Sequence, residues 1–165
     1  MTVSGIITVS DKGYKGQRED LSGDYIFSWF QKNFPKHKVV RKIVPDEFDL
    51  ICEALLEMCD KEKCSLVITT GGTGFASRDV TPEATRKIIE KEVPGIPELL
   101  RYEGLKKTPF SVLSRGVSGI KGSCLIINLP GSLKAVKEGL EALSPILEHA
   151  IELLEKGAME CGKEL

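Results

Sequence analysis

The sequence predicts an α/β fold in which a mostly parallel sheet carries helices on both faces, giving a three-layer sandwich. Two observations support this prediction. Short apolar runs of strand length alternate with longer segments whose apolar residues recur at helical spacing. Polar or glycine-rich residues follow each apolar run, as expected where parallel strands end at one edge of a sheet. The 165 residues contain no repeat, low-complexity tract or interdomain linker, so we expect residues 1–165 to form one domain.

The expected strands and helices can be placed along the chain. The apolar runs predicted to be strands are Gly5 to Val9, Val39 to Val44, Leu66 to Ile68 and Cys124 to Asn128. Residue types that cap helix N-termini precede three of the expected helices, namely Ser22, Asp46 and Thr81. Pro97 is expected to open another helix, and the last helix is expected to run from Ser132 to about Lys156. Residues 108–122, with one proline and three glycines, show no assignable pattern.

The bulk composition excludes several classes of protein. The formal net charge is −1 at pH 7, so the strongly basic balance of a nucleic-acid-binding protein is absent. The short basic stretches at 36–42 and 101–107 are expected to be solvated faces or helix ends. No apolar run is long enough to predict a transmembrane helix, so no membrane association is expected.

The cysteine pattern argues against a zinc site. Five cysteines are scattered along the chain and form no C-x-x-C pair: Cys52, Cys59, Cys64, Cys124 and Cys161. Their odd number, without a secretory signal, favours a reducing cytoplasm. Cys52 and Cys124 fall in apolar patterns and are expected in the core.

Residues 66–85, LVITTGGTGFASRDVTPEAT, carry the clearest functional signal. A buried strand leads into Gly71, Gly72, Thr73 and Gly74, and a helix opens soon afterwards. Glycines let backbone N–H groups curl around phosphate oxygens, and threonine hydroxyls add donors. The carboxylate of Asp79 is suited to hold the metal ion that accompanies a nucleotide. A tight turn alone would explain the glycines but not the hydroxyl and charged residues beside them.

Other polar residues should meet this loop at the carboxyl edge of the sheet. Ser10 and Asp11 follow the first strand, Asp46 follows the second, and the turn Leu129 to Ser132, with Pro130 and Gly131, follows the last. Each of these residues could instead have a purely structural role. Asp11 suits a turn, and Asp46 and Ser132 suit helix caps. For Ser114 and Arg115, the residues alone favour a surface loop and a functional role equally.

The residue types and motifs that these loops lack limit the reactions that the site can catalyse. The two histidines, His37 and His149, lie away from the candidate loops, which argues against a Ser-His-Asp or Cys-His hydrolase. The glycine loop lacks both the ending of a P-loop NTPase and the G-x-G-x-x-G dinucleotide pattern. Backbone amides, hydroxyls and two or three aspartates suit metal-assisted transfer between phosphates.

Four motifs together resemble the MogA/MoaB family of molybdenum-cofactor biosynthesis proteins, to which the gephyrin G domain also belongs. They are TTGGTG at 69–74, RDVTPEAT at 78–85, LSR at 113–115 and NLPGS at 128–132. The similarity extends from about Gly5 to Leu154, and residues 8–23 and 94–115 look most like the MogA branch. Leu133 departs from the proline that many members have after NLPGS.

The resemblance implies a molybdopterin adenylyltransferase, which uses Mg-ATP to adenylate the terminal phosphate of molybdopterin and releases pyrophosphate. It implies catalytic roles for Asp46, Asp79 and Ser114, with Mg²⁺ held by the two aspartates. It also implies that the residues binding substrate or nucleotide are Ser10, Asp11, Gly71 to Gly74, Thr81, Arg115, Pro130, Gly131 and Ser132. A homotrimer and a MoeA-like molybdate-insertion partner are expected as well. The alternatives are a MoaB-type paralogue, or a molybdopterin-binding or scaffold protein without adenylyl transfer.

Overall fold

Six strands form one mixed sheet. The structure is a computed structural model that describes the backbone of residues 1–161 and the side chains of residues 1–157. The strands are β1 (Val3–Val9), β2 (Lys38–Val44), β3 (Leu66–Thr70), β4 (Lys91–Glu92), β5 (Ser118–Lys121) and β6 (Cys124–Leu129), in the spatial order β2-β1-β3-β6-β5-β4. The first four in this order are parallel, whereas β5 runs antiparallel to both β6 and β4. The predicted α/β architecture with a mostly parallel sheet is confirmed.

The helices are α1 (Asp11–Tyr14), α2 (Leu21–Asn33), α3 (Phe48–Leu56), α4 (Thr81–Ile88), α5 (Gly95–Leu105) and α6 (Leu133–Cys161). A π-helical turn, Glu57–Lys61, extends α3, and a 3₁₀ turn, Pro109–Leu113, follows α5. The end predicted for α6 at Lys156 is wrong, because the helix continues to Cys161. None of the helices in the described part of the chain combines the length and apolar character that a membrane crossing needs.

Two predicted helix starts are wrong. Asp20, not Ser22, caps α2, and its carboxylate accepts from the amide of Gly23 at 2.9 Å. Ser22 lies inside the helix, where its hydroxyl donates to the carbonyl of Gly131 at 2.9 Å. Helix α5 begins at Gly95, two residues before Pro97. A residue type that suits a cap is also suited to a tertiary hydrogen bond, and the sequence does not separate the two.

Helices cover both faces of the sheet, as the three-layer prediction requires. On one face, apolar side chains of α2, α5 and α6 pack on the sheet, with Phe30, Ile68 and Leu140 fully buried. On the other face, α3 and α4 enclose a core that includes Ile51 and Ile126. Cys124 lies in this second core, and Cys52 is half-buried at its margin. The thiols of Cys52, Cys59, Cys64 and Cys124 are free, and the side chain of Cys161 lies outside the described residues.

The crossovers place a switch point between β1 and β3. From β1 the chain crosses to β2 through α2 on one face of the sheet, then returns through α3 on the other face to β3. Loops that leave neighbouring strands in opposite directions open a crevice at the carboxyl edge, where open α/β sheets bind ligands. Thr8 pairs with Thr70, and Thr70 pairs with Leu129. The predicted convergence of the loops after β1, β3 and β6 is therefore confirmed.

Candidate active site

The glycine loop after β3 is held from within by Thr81. Gly71 and Gly72 have φ values of +99° and +67°, the left-handed region that favours glycine. A Cβ at Gly71 would overlap the carbonyl oxygen of Val9, and one at Gly72 would overlap the hydroxyl of Thr81. That hydroxyl donates to the carbonyl of Gly71 at 2.9 Å. The prediction that Thr81 caps the following helix is therefore wrong: α4 starts at Thr81, and Val80 precedes it without a side-chain cap.

The loop presents free backbone donors. The amide of Gly71 is occupied, because it donates to the carbonyl of Leu129 at 3.2 Å. Within the described part of the chain, the amides of Gly72, Thr73 and Gly74 have no such acceptor. Three successive N–H groups on a curled backbone form a concavity suited to an anion.

Asp11 and Asp46 hold each other in place through their backbones. The amide of Asp11 donates to Oδ2 of Asp46 at 2.9 Å, and the amide of Asp46 donates to Oδ1 of Asp11 at 3.0 Å. Glu47, without a side-chain hydrogen bond, takes the cap position of α3. The capping interpretation of Asp46 is therefore wrong, because its carboxylate bonds the loop after β1 instead.

Arg78 completes this acidic side of the site. Its Nε and Nη2 donate to the two carboxylate oxygens of Asp11 at 2.6 and 2.8 Å. The hydrogen bond from Arg78 lowers the pKa of Asp11 to about 2. Burial raises the pKa of Asp46 above its ordinary value, and the neighbouring charges of Asp11 and Asp79 add to the rise. The ionised form of Asp46 is therefore less favourable than that of an exposed aspartate, as is common for functional groups.

Asp79 packs against the last glycine of the loop. Its Oδ2 accepts from the amide of Ala76 at 2.9 Å, within a turn closed by the bond from the amide of Asp79 to the carbonyl of Ala76. A Cβ at Gly74 would lie 2.9 Å from the same oxygen, so the carboxylate is packed against the loop. The turn fixes the carboxylate at the rim of the amide concavity.

The donor set fits a magnesium ion that arrives with a nucleotide. Mg²⁺ is usually held by one or two carboxylates together with substrate phosphates, rather than by an all-protein cage. Among the described residues, no three His, Cys, Asp or Glu side chains form such a cage. Asp46 and Asp79 supply two carboxylates close enough for the charge of one to raise the pKa of the other. A divalent cation between them would relieve this repulsion.

Arg115 is a clamp on the glycine loop. Its guanidinium donates to the carbonyls of Gly74 at 2.8 Å and Asp79 at 2.7 Å, and it forms an ion pair with Glu83. Its backbone amide donates to the carbonyl of Thr73 at 3.1 Å. These bonds tie the segment after the 3₁₀ turn to the phosphate loop.

The turn after β6 closes the site from the other side. Thr70 donates its hydroxyl to the carbonyl of Pro130 at 2.7 Å, and Gly131 packs closely against Gly71. Ser132 accepts from the amide of Ala135 at 3.3 Å, so it caps α6 as its structural interpretation predicted. Ser10 likewise caps the short helix α1, because it accepts from the amide of Gly13 at 3.0 Å.

A pocket of about 350 Å³ opens beside the loop, on the side away from Asp11 and Asp46. Its walls come from the glycine loop, α5, the 3₁₀ turn and the turn after β6, and include Thr73, Gly74, Ser114 and Pro130. The Oγ of Ser114 has only a long contact, 3.4 Å, with the amide of Gly116. The loop thus separates an acidic side from a pocket large enough for a flat heterocycle.

Sequence reasoning missed three polar residues of the site. Arg78 orders the acidic side of the site. Its place in the RDV motif was a signal that could have identified it as a site residue. Asn128, 2% exposed, donates to the hydroxyls of Thr69 and Thr85, both at 2.9 Å, and its place at the start of the NLPGS motif was the available signal. Arg101 lines the pocket from α5, and no feature of the sequence pointed to it.

Comparison with known proteins identifies the family of the chain. The model of the family described as "Probable molybdopterin binding domain" matches residues 5–149. The molybdopterin adenylyltransferase of Helicobacter pylori is 43% identical over 158 residues, covering 91% of this chain and 86% of that protein. The molybdenum cofactor synthesis protein cinnamon of Drosophila melanogaster is 45% identical over 150 residues, but this chain spans only 25% of its length.

A solved structure extends the comparison to the fold. The molybdopterin biosynthesis enzyme MoaB from Thermus thermophilus superposes with a TM-score of 0.86 at 47% identity, covering 93% of this chain and 96% of that one. The family match and the superposition both extend over most of the chain, and the family match includes all four motifs. The chain therefore belongs to the probable molybdopterin binding domain family, the group that its four motifs resemble.

Proposed function

We propose that this chain is a molybdopterin adenylyltransferase, which transfers AMP from Mg-ATP to the terminal phosphate of molybdopterin and releases pyrophosphate. The observation that carries the proposal is the position of the three free amides of Gly72, Thr73 and Gly74. Gly72 and Gly74 adjoin the carboxylates of Asp46 and Asp79, which are suited to magnesium, and Thr73 and Gly74 also line the pocket suited to a pterin. The relatives named as adenylyltransferases support the same activity.

The chemistry needs no protein nucleophile. A phosphate oxygen of molybdopterin attacks the α-phosphorus of ATP, and a new P–O bond forms there. The bond from that phosphorus to the oxygen bridging the β-phosphate breaks, and its electron pair leaves with pyrophosphate. The attacking oxygen is already anionic near neutral pH, so no general base is required. The lack of a general base agrees with the position of His37, whose ring hydrogen-bonds the hydroxyl of Ser4 at the opposite end of the sheet.

The residues of the chain divide the remaining work. The free amides bind phosphate oxygens, while Arg78 and Asp11 keep the carboxylate of Asp46 oriented towards the loop. Magnesium, held by Asp46 and Asp79, would neutralise charge on the phosphates. Ser114, in the pocket wall, would bind the pterin or its phosphate. Arg115 contributes through the loop that it clamps, because its donors are already bonded to protein.

Asp79→Asn tests the proposal directly. Asparagine retains an oxygen for the amide of Ala76 and removes the charge that a hard cation needs. We expect product formation from molybdopterin and Mg-ATP to fall by about 10²-fold or more, with an unchanged unfolding midpoint. Asp60→Asn, the same change at an exposed site in the π-helical turn after α3, is the matched control. Turnover of the Asp79 variant within a few-fold of wild type would contradict the assignment.

Ser114→Ala separates the two sides of the site. We expect affinity for molybdopterin to fall by about 2–10-fold, because one neutral hydrogen bond contributes about 0.5–1.5 kcal/mol. Affinity for Mg-ATP should not change. A loss confined to Mg-ATP would move Ser114 to the nucleotide side, and no loss of either would leave it a wall residue.

A second candidate is a MoaB-type or scaffold protein that binds molybdopterin without adenylyl transfer. The name MoaB of the 47% identical Thermus structure favours considering it. Thermal stabilisation by Mg-ATP separates the two, because a ligand raises the melting temperature only of a protein that binds it. Stabilisation by molybdopterin alone, without product from Mg-ATP, would establish this second candidate.

The proposal extends to assembly and location. We infer a homotrimer in the cytoplasm that passes its adenylated product to a MoeA-like insertion protein. Exposed apolar side chains beside the pocket, including Tyr102, Phe110 and Val112, support a protein contact there. Sedimentation equilibrium of the purified chain would give the subunit number, and a monomer at micromolar concentration would contradict the trimer.

A further inference from the structure

A second pocket, distinct from the site described above, lies between the start of α5 and the start of β5. Its volume is about 370 Å³, and three arginines contribute to its lining: Arg86, Arg101 and Arg115. It shares Pro97, Arg101 and Gly116 with the first pocket, so the two are neighbours separated by these residues. Nothing in the proposed adenylyl transfer uses it.

Ser118 gives this pocket an unsatisfied polar group. The residue is 2% exposed, lines the pocket, and its Oγ has no hydrogen-bond partner among the described residues. Alternation along β5 puts Ser118 on the same face as Ile120, which packs in the core cluster containing Ile96 of α5. Its hydroxyl therefore faces the α5 side, where the pocket lies. A buried hydroxyl without a partner is costly, so a ligand that accepts its hydrogen bond would be favoured.

Arg101 has spare donors of the complementary kind. Its Nη1 donates to the carbonyls of Ser114 and Gly116, both at 3.3 Å. Within the described part of the chain, no carboxylate forms a salt bridge with its guanidinium, even though Glu98 lies one turn earlier on α5. An arginine bonded only to neutral carbonyls keeps its full positive charge for an anion.

The other charged groups near the pocket reduce its positive charge without cancelling it. Arg86 is 3.6 Å from Glu92, and Arg115 is paired with Glu83 outside the pocket. The first turn of α5 also borders the pocket, and Pro94, at its cap position, supplies no side-chain cap. This end of α5 supplies no free backbone donor to the pocket, because Pro94 and Pro97 lack N–H groups and the amide of Glu98 donates to the carbonyl of Pro94. The carboxylates of Glu92 and Glu98 also line the pocket, beside its three arginines.

We propose that this pocket binds a tetrahedral oxyanion of the phosphate class, with the guanidinium of Arg101 and the hydroxyl of Ser118 as its donors. The volume exceeds that of one phosphate, so the pocket has room for bridging water or for a second phosphoryl group. Arg115 lines the pocket and also clamps Gly74 and Asp79, which connects an anion here to the phosphate loop. Inorganic phosphate and pyrophosphate share the recognising chemistry.

Calorimetric titration of the full chain at constant ionic strength tests the proposal, with inorganic phosphate and pyrophosphate as separate probes. We expect Arg101→Gln to weaken phosphate binding by about tenfold or more, since it removes a charge-assisted bond. Ser118→Ala should weaken it by about 2–10-fold. Arg18→Gln removes the same charge from an exposed loop outside the pocket and should leave the affinity unchanged. Tighter binding of pyrophosphate than of phosphate would identify the diphosphate as the preferred ligand.

Amide shifts in ¹H–¹⁵N spectra locate the bound ion without a variant. Shifts at Gly116 to Ser118 support the proposal, whereas shifts confined to Gly72 to Gly74 would place the ion at the phosphate loop and overturn it. Absence of any phosphate binding to the wild-type chain would also overturn it. A Ser118→Ala variant that melts at a higher temperature and binds phosphate as tightly as wild type would show that the hydroxyl is merely unsatisfied. Each readout is independent of adenylyl transfer, so its outcome is separate from that of the proposed function.

Discussion

Asp46→Asn should give a protein at least as stable as wild type that has lost adenylyl transfer. The carboxylate of Asp46 is half-buried, and the charges of Asp11 and Asp79 lie close to it. Asparagine keeps an oxygen to accept from the amide of Asp11, the bond that measures 2.9 Å in the structure. It removes only the negative charge, which opposes folding here and is the property that a magnesium ion requires.

The sign of the stability change follows from the pKa. In the folded state the pKa of Asp46 is raised above 3.8, so the folded protein holds this proton more tightly than the unfolded chain does. The ionised carboxylate therefore destabilises the fold at pH 7, and the penalty disappears as the pH falls below the unfolded value. We expect Asp46→Asn to gain about 0.5–1 kcal/mol at pH 7, a modest figure because solvent screens a half-exposed group.

A matched variant isolates the hydrogen bond from the charge. Asp46→Ala also removes the acceptor for Asp11, which should cost about 1–3 kcal/mol relative to asparagine. Urea unfolding at pH 7 and pH 4 gives the stabilities, and product formation from molybdopterin and Mg-ATP gives the activity. The reasoning fails if Asp46→Asn is less stable than wild type by more than 1 kcal/mol or so, or if it remains active.

Three further changes test other parts of the structure. Gly72→Ala should weaken calorimetric binding of Mg-ATP and also lower stability by about 1–3 kcal/mol, because its φ is +67° and the new Cβ would meet Thr81; unchanged affinity would remove Gly72 from the phosphate cradle. Asn128→Ala should cost about 2–4 kcal/mol in urea unfolding, because it leaves the amide of Val117 and two hydroxyls unpaired in the core; a loss under 1 kcal/mol or so would mean that water replaces the side chain. Burial lowers the pKa of His37 below 6.5, so the folded protein should lose stability as the pH falls through 6.5. His37→Asn should flatten this loss of stability between pH 7 and pH 5. An equally steep profile in the variant would exclude His37 as the source of the pH dependence.

The alternation of apolar runs and helical spacing was enough to determine the architecture. The sequence predicted β1, β3 and β6 because each is almost wholly buried and therefore reads as an apolar run, whereas β2, at the edge of the sheet, was predicted from a run interrupted by two charged residues. Strands β4 and β5 escaped prediction because they are short, lie at or near an edge of the sheet, and belong to segments interrupted by glycine and proline. Pairing of β5 with β6, and of β4 with β5, makes these segments strands, and pairing is a long-range property.

The candidate loops were also predictable, because the carboxyl ends of parallel strands always meet at one edge. The glycines predicted the turn itself, since the left-handed backbone at Gly71 and Gly72 admits few other residues, and the hydroxyl and charged residues beside them pointed to a phosphate-binding role. Whether the residues identified in these loops carry out adenylyl transfer remains a prediction.

The partner of each polar side chain was decided only by the tertiary structure. Asp46, Ser22 and Thr81 are all good helix caps by type, yet each bonds a segment distant in sequence. Ser132, an equally good cap, does cap its helix. A short polar side chain forms similar bonds with a local amide or with a loop that folding brings beside it, and the two differ little in energy. Composition and periodicity fix which faces are buried, whereas only the folded chain fixes which donors remain free to bind a ligand.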